Sequence, residues 1–452
     1  MKVAIVGTGI SGLVCAHLLH PHHEIAVFEA NDYVGGHTNT VDVTLEGRDY
    51  AIDTGFIVYN ERNYPNFVRL LDQLGVATQP SSMTFSVRNE RTGVEWRGSN
   101  LNTMFAQRRN LLRPSFHRML IDILRFNKAA KRLVDDDRLG RADESVSLAE
   151  FVSTLRLSPR FTEEFLIPFG ASIWSADPST FLDFPATTYT RFMANHGLLD
   201  LRGMPQWRTV AGGSQRYVEK LIPPFADRIR LRTPVAKVVR TAVGVEIVTA
   251  DGPERFDKVI LAGHSDQSLR LLADADPAER EILGAIRYQP NTATLHTDTA
   301  FLPVNPRARA SWNYHVGAGD QREAALTYWM NELQSIDSPH EFMVTLNQAD
   351  RIDRSKVLAE FEYDHPVYDA EAIRAQGRRP EIQGVNGTFF AGAYWGYGFH
   401  EDGVRSALDV CRHFGVGLDG PILDDAPTVT IDAADTGDDE GDVVGDGRLV
   451  RA

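Results

Sequence analysis

Val3 to Val6 form a short unbroken apolar run, the pattern of a strand buried on both faces. A glycine-punctuated turn follows, and Leu13, Val14, Ala16, Leu18 and Leu19 then predict a helix. EIAVFEA is a second strand, ending at Glu29 and Ala30. The polar alternation of VDVTLEGRDYAIDTGF predicts a β-hairpin, NFVRLLDQL an amphipathic helix, and SMTFSV a strand with a short hairpin closed by Trp96. Helical periodicity dominates from about Leu101 to Gly197, where Phe116, Met119, Leu120, Ile123, Leu124 and Val134 predict a buried face. RIRLRTPVAKVV, VEIVTADG and DKVILAGH predict a small sheet that ends in a buried strand, Val259 to Leu261. After Ile286, alternation in TATLHTD, SWNYHV, ALTYWM and MVTLN predicts an antiparallel sheet. GTFFAGAY predicts a last strand running into a glycine turn, and GVRSALDVCRHF a last helix.

The order of these elements predicts an α/β fold with two discontinuous domains, as a chain of 452 residues requires. Residues 1–75, 205–285 and 385–420 would form a Rossmann-like nucleotide domain, and residues 76–204 and 286–384 an α+β substrate domain. Residues 424–452 carry nine acids, two arginines and no periodicity, which predicts a disordered acidic tail.

A net charge of -14 argues against nucleic acid as a partner. Against that acidity, Arg108 to Arg132 hold eight Lys or Arg and one acid, with Arg118, Arg125, Lys128 and Arg132 opposite the apolar face. The segment is either a solvated helix or a peripheral contact with anionic lipid at the inner membrane face. No run of 18 apolar residues predicts a span. Cys15 and Cys411, each among helical apolar residues, predict buried thiols, no metal site and a cytoplasmic, reducing compartment.

The chemistry begins at VGTGISG. Gly7 makes a tight turn, Gly9 lets backbone N–H groups approach a pyrophosphate, and Gly12 lets the helix pack on the sheet. Ile10 and Ser11 open that helix, whose positive end faces the phosphates. Glu29 closes the second strand, where it accepts hydrogen bonds from ribose hydroxyls.

VGTGISGL, FEANDYVGGHTNT, TGFIVYNERNYPN, MTFSV, ASIWSA and GAYWGYGFHEDGVRSA together resemble the flavin-containing amine oxidoreductase-like proteins. More narrowly, they resemble the FAD domain that precedes the methyltransferase in plant cyclopropane-fatty-acid synthases and the bacterial stand-alone flavoproteins that accompany such methyltransferases. The resemblance implies non-covalent FAD, a lipid acyl chain as substrate, and a cyclopropane-synthase-like methyltransferase as partner. It implies that Gly35, Gly36, His37 and Thr38 continue the pyrophosphate cradle, with His37 where the family usually has Arg. Asp53 and Gly55 would lie near the flavin or its ribityl chain, and Val235 would offer its backbone to the adenine. Gly392 would let the chain pass close to the flavin ring, and Gly403 and Val404 would aim N–H groups at it. Trp174, Tyr394 and Trp395 would wall the substrate cavity, and Tyr397, His400 and Glu401 would be the catalytic groups. Amine oxidases usually carry a lysine on the first strand of the substrate sheet, and TATLHTD has none. Four activities stay open: an acyl-chain oxidoreductase, a double-bond isomerase, a non-catalytic flavoprotein partner of a methyltransferase, and an amine oxidase.

Overall fold

In the computed structural model, which describes residues 1–200, 203–319 and 323–421, the apolar run becomes β1 (Lys2–Val6). The expected tail at 424–452 lies outside the described residues. β1 is the middle strand of a five-stranded parallel sheet, which explains why its apolar run has no polar alternation. It leads through the glycine turn into α1 (Ile10–Leu19) and back as β2 (Glu24–Phe28). Ile5 lies beside Val27 on one side and Ile260 on the other. Ile229–Arg230 flanks β2, and Thr388–Phe390 flanks Lys258–Leu261. One sheet therefore draws strands from both ends of the chain.

The helical region opens with α2 (Pro65–Gln73), which buries Phe67, Leu70 and Leu71. Further on, α3 (Pro114–Arg138) buries Phe116, Met119, Phe126, Ala130 and Val134 against α4 (Ala186–Asn195) and its neighbours. Two positions depart from the expected face. Leu124 is 51% exposed, and Asp122 is fully buried in its place. The Asp122 carboxylate accepts hydrogen bonds from Arg118, Arg125 and the Ser158 backbone N–H. A buried acid with that many donors is satisfied, so the helix turns it inward and sends Leu124 out.

The substrate sheet has seven strands. β3 (Tyr288–His296) pairs with β4 (Val357–Pro366) at one edge, and Met343–Leu346, Leu326–Trp329 and Trp312–Val316 continue antiparallel. The hairpin Phe85–Asn89 and Val94–Arg97 completes it, but Phe85–Asn89 runs parallel to Trp312–Val316, so the sheet is mixed rather than antiparallel throughout. The chain then returns through Thr388–Phe390 to α5 (His400–Arg412), which packs along α1 with Cys15 and Cys411 both buried. No helix among the described residues is long and apolar enough to cross a membrane.

Candidate active site

The three N-terminal glycines do three different things. Gly7 takes φ +105°, a conformation favoured by glycine, and a Cβ there would sit 3.0 Å from the Ala262 carbonyl oxygen. At Gly12 a Cβ would lie 2.0 Å from the Gly7 carbonyl oxygen, so α1 packs against the turn only without a side chain. At Gly9 nothing lies within 4 Å, and that open space faces a cavity of about 760 Å³. The second glycine pair folds over the first: a Cβ at Gly36 would come 3.2 Å from Gly9 Cα. Glu29 lines the cavity, its carboxylate fixed by the Thr8 N–H at 3.0 Å, the Thr8 hydroxyl at 2.5 Å and the Asn31 N–H at 2.8 Å. A carboxylate has about four acceptor positions, so one is left for a ribose hydroxyl.

Most of the expected site residues line this cavity: Gly7, Gly9, Ile10, Ser11, Glu29, Ala30, Gly35, Gly36, His37, Gly55 and Val235 on the nucleotide side, and Trp174, Gly392, Tyr394, Tyr397 and His400 on the other. Trp174 Nε1 donates to the Tyr397 carbonyl at 3.1 Å, joining the helix Ile167–Trp174 to the loop before α5. Trp174 also walls a smaller hollow of about 320 Å³ that shares His365 and Tyr368 with the main cavity.

Seven expected residues do something else. Gly12 serves the helix packing above. Thr38 is buried and bonded to the Tyr217 hydroxyl at 2.6 Å. Asp53 does not line the cavity; it ends the hairpin strand Arg48–Asp53 and ties it to distant segments, accepting from Thr40, from the N–H and hydroxyl of Ser214, and from Gln334 Nε2. Burial raises its pKa to about 6, although those hydrogen bonds pull it down. Gly403 and Val404 face α1 instead of the cavity; a Cβ at Gly403 would lie 2.6 Å from Ile10 Cγ2. The end of α5 that reaches the cavity is one turn earlier, at Phe399 and His400. There the first-turn amides have no carbonyl behind them within the helix. Trp395 is packed in the core, its Nε1 on the Phe390 carbonyl and Arg379 against its ring. Glu401 caps α2, accepting from Asn66 N, Asn66 Nδ2 and Phe67 N at 3.3, 2.6 and 3.0 Å.

His400 lines the cavity but is held tightly. Its ring stacks on Phe56 at 3.6 Å between centroids, and Nε2 lies 3.0 Å from both the Thr38 and Tyr217 hydroxyls. Burial lowers its pKa to about 3, so it is neutral and poorly suited to take up a proton. The freer imidazole is His365, near the end of β4. Its Nδ1 is 3.2 Å from Asn291 Nδ2 on β3, and Asn291 Oδ1 accepts from Asn347 Nδ2 at 2.8 Å. That relay turns the Asn291 amide so that it donates to Nδ1, which leaves the proton on Nε2. Burial, then His264, lowers the pKa of His365 to about 4. His37 stands 5.6 Å away, ring to ring, and its ring lies tilted 4.8 Å from that of Tyr363.

Sequence reasoning missed His264, Asn291, Tyr363 and His365. The available signal was a histidine closing an apolar run, VILAGH, and another closing an alternating aromatic–acidic stretch, FEYDH, near strand ends that reach the cavity. β3 has no lysine; Asn291 and Thr292 bond to neighbouring strands instead.

The site suits FAD. Gly9 leaves room for a pyrophosphate, and His37 Nε2 and His264 Nδ1 are buried without a partner among the described residues. Comparison with known proteins agrees. Residues 10–353 match the family described as flavin containing amine oxidoreductase. Two strains of Mycobacterium tuberculosis, CDC 1551 / Oshkosh and ATCC 25618 / H37Rv, have a protein whose name describes it as a flavin-containing monoamine oxidase, AofH. It is 26% identical over 272 residues, 58% of this chain and 56% of that protein, so the chain spans little more than half the length of these relatives. The fold is similar to that of a putrescine oxidase variant from a cofactor-binding redesign, at TM-score 0.67 and 16% identity, over 91% of this chain and 99% of that one. Cyclohexylamine oxidase from Brevibacterium oxydans IH-35A gives TM-score 0.66 at 16% identity over the same shares. A CLA-producing fatty acid isomerase from P. acnes gives 0.65 at 18% over 91% and 98%. The chain belongs to the flavin-containing amine oxidoreductase family, and FAD is its cofactor.

Proposed function

We propose that the protein is an FAD-dependent oxidoreductase acting on unsaturated or methyl-modified fatty acyl chains of membrane lipids. The observation that carries this reading is the wall of the cavity beyond the glycine cradle. Ile57, Met83, Ile173, Trp312, Tyr328 and Leu346 line it from both parts of the chain, and all but Tyr328 are free of a hydroxyl or charge. Such a wall gains free energy from every methylene it covers, about 0.8 kcal/mol each. FAD, when bound, supplies hydride acceptance and return at N5. The chain's own residues do the rest. Trp174 and Tyr397 narrow the cavity, Phe56 and His400 stack beside it, and His365, held through Nδ1 by Asn291, offers its Nε2–H as a hydrogen-bond donor. The fold itself is compatible with lipid chemistry, since a fatty acid isomerase shares it.

A second reading, amine oxidation, is favoured by the family and by the name of the M. tuberculosis relative. Against it stands β3, where Asn291 and Thr292 are tied into the sheet and no lysine is present. The two are separated by anaerobic mixing of the purified holoprotein with phospholipids bearing unsaturated or methylated chains, and with a panel of amines. Bleaching of the flavin band by lipid, or a shifted double bond without any acceptor, is expected. Bleaching by amines alone, with peroxide on re-aeration, would transfer the protein to the amine oxidases.

A further inference from the structure

We propose that the surface formed by Arg108–Leu112 and the outward side of α3 docks on an anionic lipid bilayer. The proposal does not depend on the acyl-chain reading, since a flavoprotein of any substrate class can bind a membrane.

α3 has two apolar sides. One is buried, through Phe116, Met119, Phe126, Ala130 and Val134. The other faces water, where His117, Ile121, Leu124 and Lys128 follow at spacings of four, three and four and so share one face. Ile121 and Leu124, in the middle of that face, are 53% and 51% exposed. A surface helix normally places polar residues there. The 3₁₀ turn before the helix adds Leu111 and Leu112, 49% and 88% exposed. A ring nitrogen of His117 lies 2.9 Å from the Leu111 carbonyl and holds the turn against the same face. Four aliphatic side chains of this one segment, two on the turn and two on the helix face, are thus exposed to water.

Charge decides what covers them. The chain is acidic, at -14, yet Arg108 to Arg132 carry eight bases and one acid. That acid, Asp122, is buried and already paired with Arg118 and Arg125. Among the described residues no carboxylate forms an ion pair with Arg108, Arg109, Arg113, Lys128 or Arg132. An anionic bilayer offers headgroups for these cations and an acyl layer a few ångströms below for the leucines and isoleucine. A second copy meeting this one through the same face would set positive against positive. The acidic residues 424–452 have charge but few large apolar groups.

The test is sedimentation of the full-length holoprotein with vesicles of phosphatidylcholine alone or mixed with phosphatidylglycerol. Binding is expected only with phosphatidylglycerol, and weaker in high salt. The double variant Ile121→Glu/Leu124→Glu should lose at least about tenfold in partitioning. Lys128→Glu/Arg132→Glu should lose at least about twenty-five-fold, since each base near an anionic surface contributes about fivefold. Both variants should keep their flavin spectrum and melting temperature, the four side chains being exposed. The proposal is overturned if neither vesicle binds, if both variants bind as the parent does, or if binding needs removal of residues 424–452. It is equally overturned if the variants change only the particle size in solution, which would make the face a contact between copies.

Discussion

A single added methyl distinguishes glycines that one motif treats alike. Gly12→Ala puts a Cβ 2.0 Å from a backbone oxygen and should cost about 1–3 kcal/mol of stability, read by denaturant titration. Gly9→Ala places a Cβ with nothing of the protein within 4 Å, in the space where a pyrophosphate belongs. It should leave the apoprotein's stability near that of the parent and reduce the flavin-to-protein ratio by tenfold or more. A third substitution tests the His365 imidazole as a donor. His365→Leu removes the Nε2–H and leaves the Asn291 amide without its Nδ1 acceptor, and should lower turnover per bound flavin by up to about tenfold. The glycines, Glu29 and the second glycine pair were legible in the sequence because backbone chemistry fixes their local spacing. His365 was not, because its importance comes from Asn291 and His37, 74 and 328 positions away in the chain.

Among the elements, α2 and α5 show how a polar cluster can mislead. His400 and Glu401, at the start of α5, read as an acid–base pair, yet Glu401 supports a helix. Glu401 supplies the N-terminal cap that α2 lacks, its own N-cap residue being Tyr64. Asp402 holds the loop before α5 through the Tyr397 and Phe399 N–H groups, each at 3.0 Å. Glu401→Ala should therefore cost about 1–2 kcal/mol, measured as a shift in the denaturant midpoint, with turnover per bound flavin unchanged. Helical spacing correctly gave one buried side of α3 but could not say that Asp122 would be buried, because Ser158 and two arginines supply its partners. Nor could alternation give the parallel entry of Phe85–Asn89, since period two is common to both strand directions.

The whole molecule should be sensitive to acid. His296, His365 and His400 have folded-state pKa values of about 4, 4 and 3, all lowered chiefly by burial. The unfolded chain binds their protons near pH 6.5, so their contribution is complete above that pH and is lost as pH falls toward 4. Asp53, raised to about 6, acts in the opposite sense: its contribution grows as pH falls from about 6 toward 4 and offsets part of the loss. Among the described residues nine histidines have lowered pKa values, His37 and His196 with these three among them, against four carboxyls with raised values, Asp53, Glu164, Glu401 and Asp402, so the melting temperature should drop on acidification through this window. His296 lies on the substrate sheet, hydrogen-bonded to Thr345 and to the Asp298 N–H. His296→Gln should flatten the slope by up to about 3 kcal/mol without altering flavin content.

The parallel sheet has a further consequence for how the protein is made. β1 emerges from the ribosome nearly four hundred residues before Thr388–Phe390, at the far edge of its sheet, and α5, which packs on α1. At five to twenty residues per second, the first β-α unit waits roughly 20–80 s for them. During that interval the nascent nucleotide fold has an open sheet edge and a bare helix face, and the cavity lacks the wall that Tyr397, Phe399 and His400 supply.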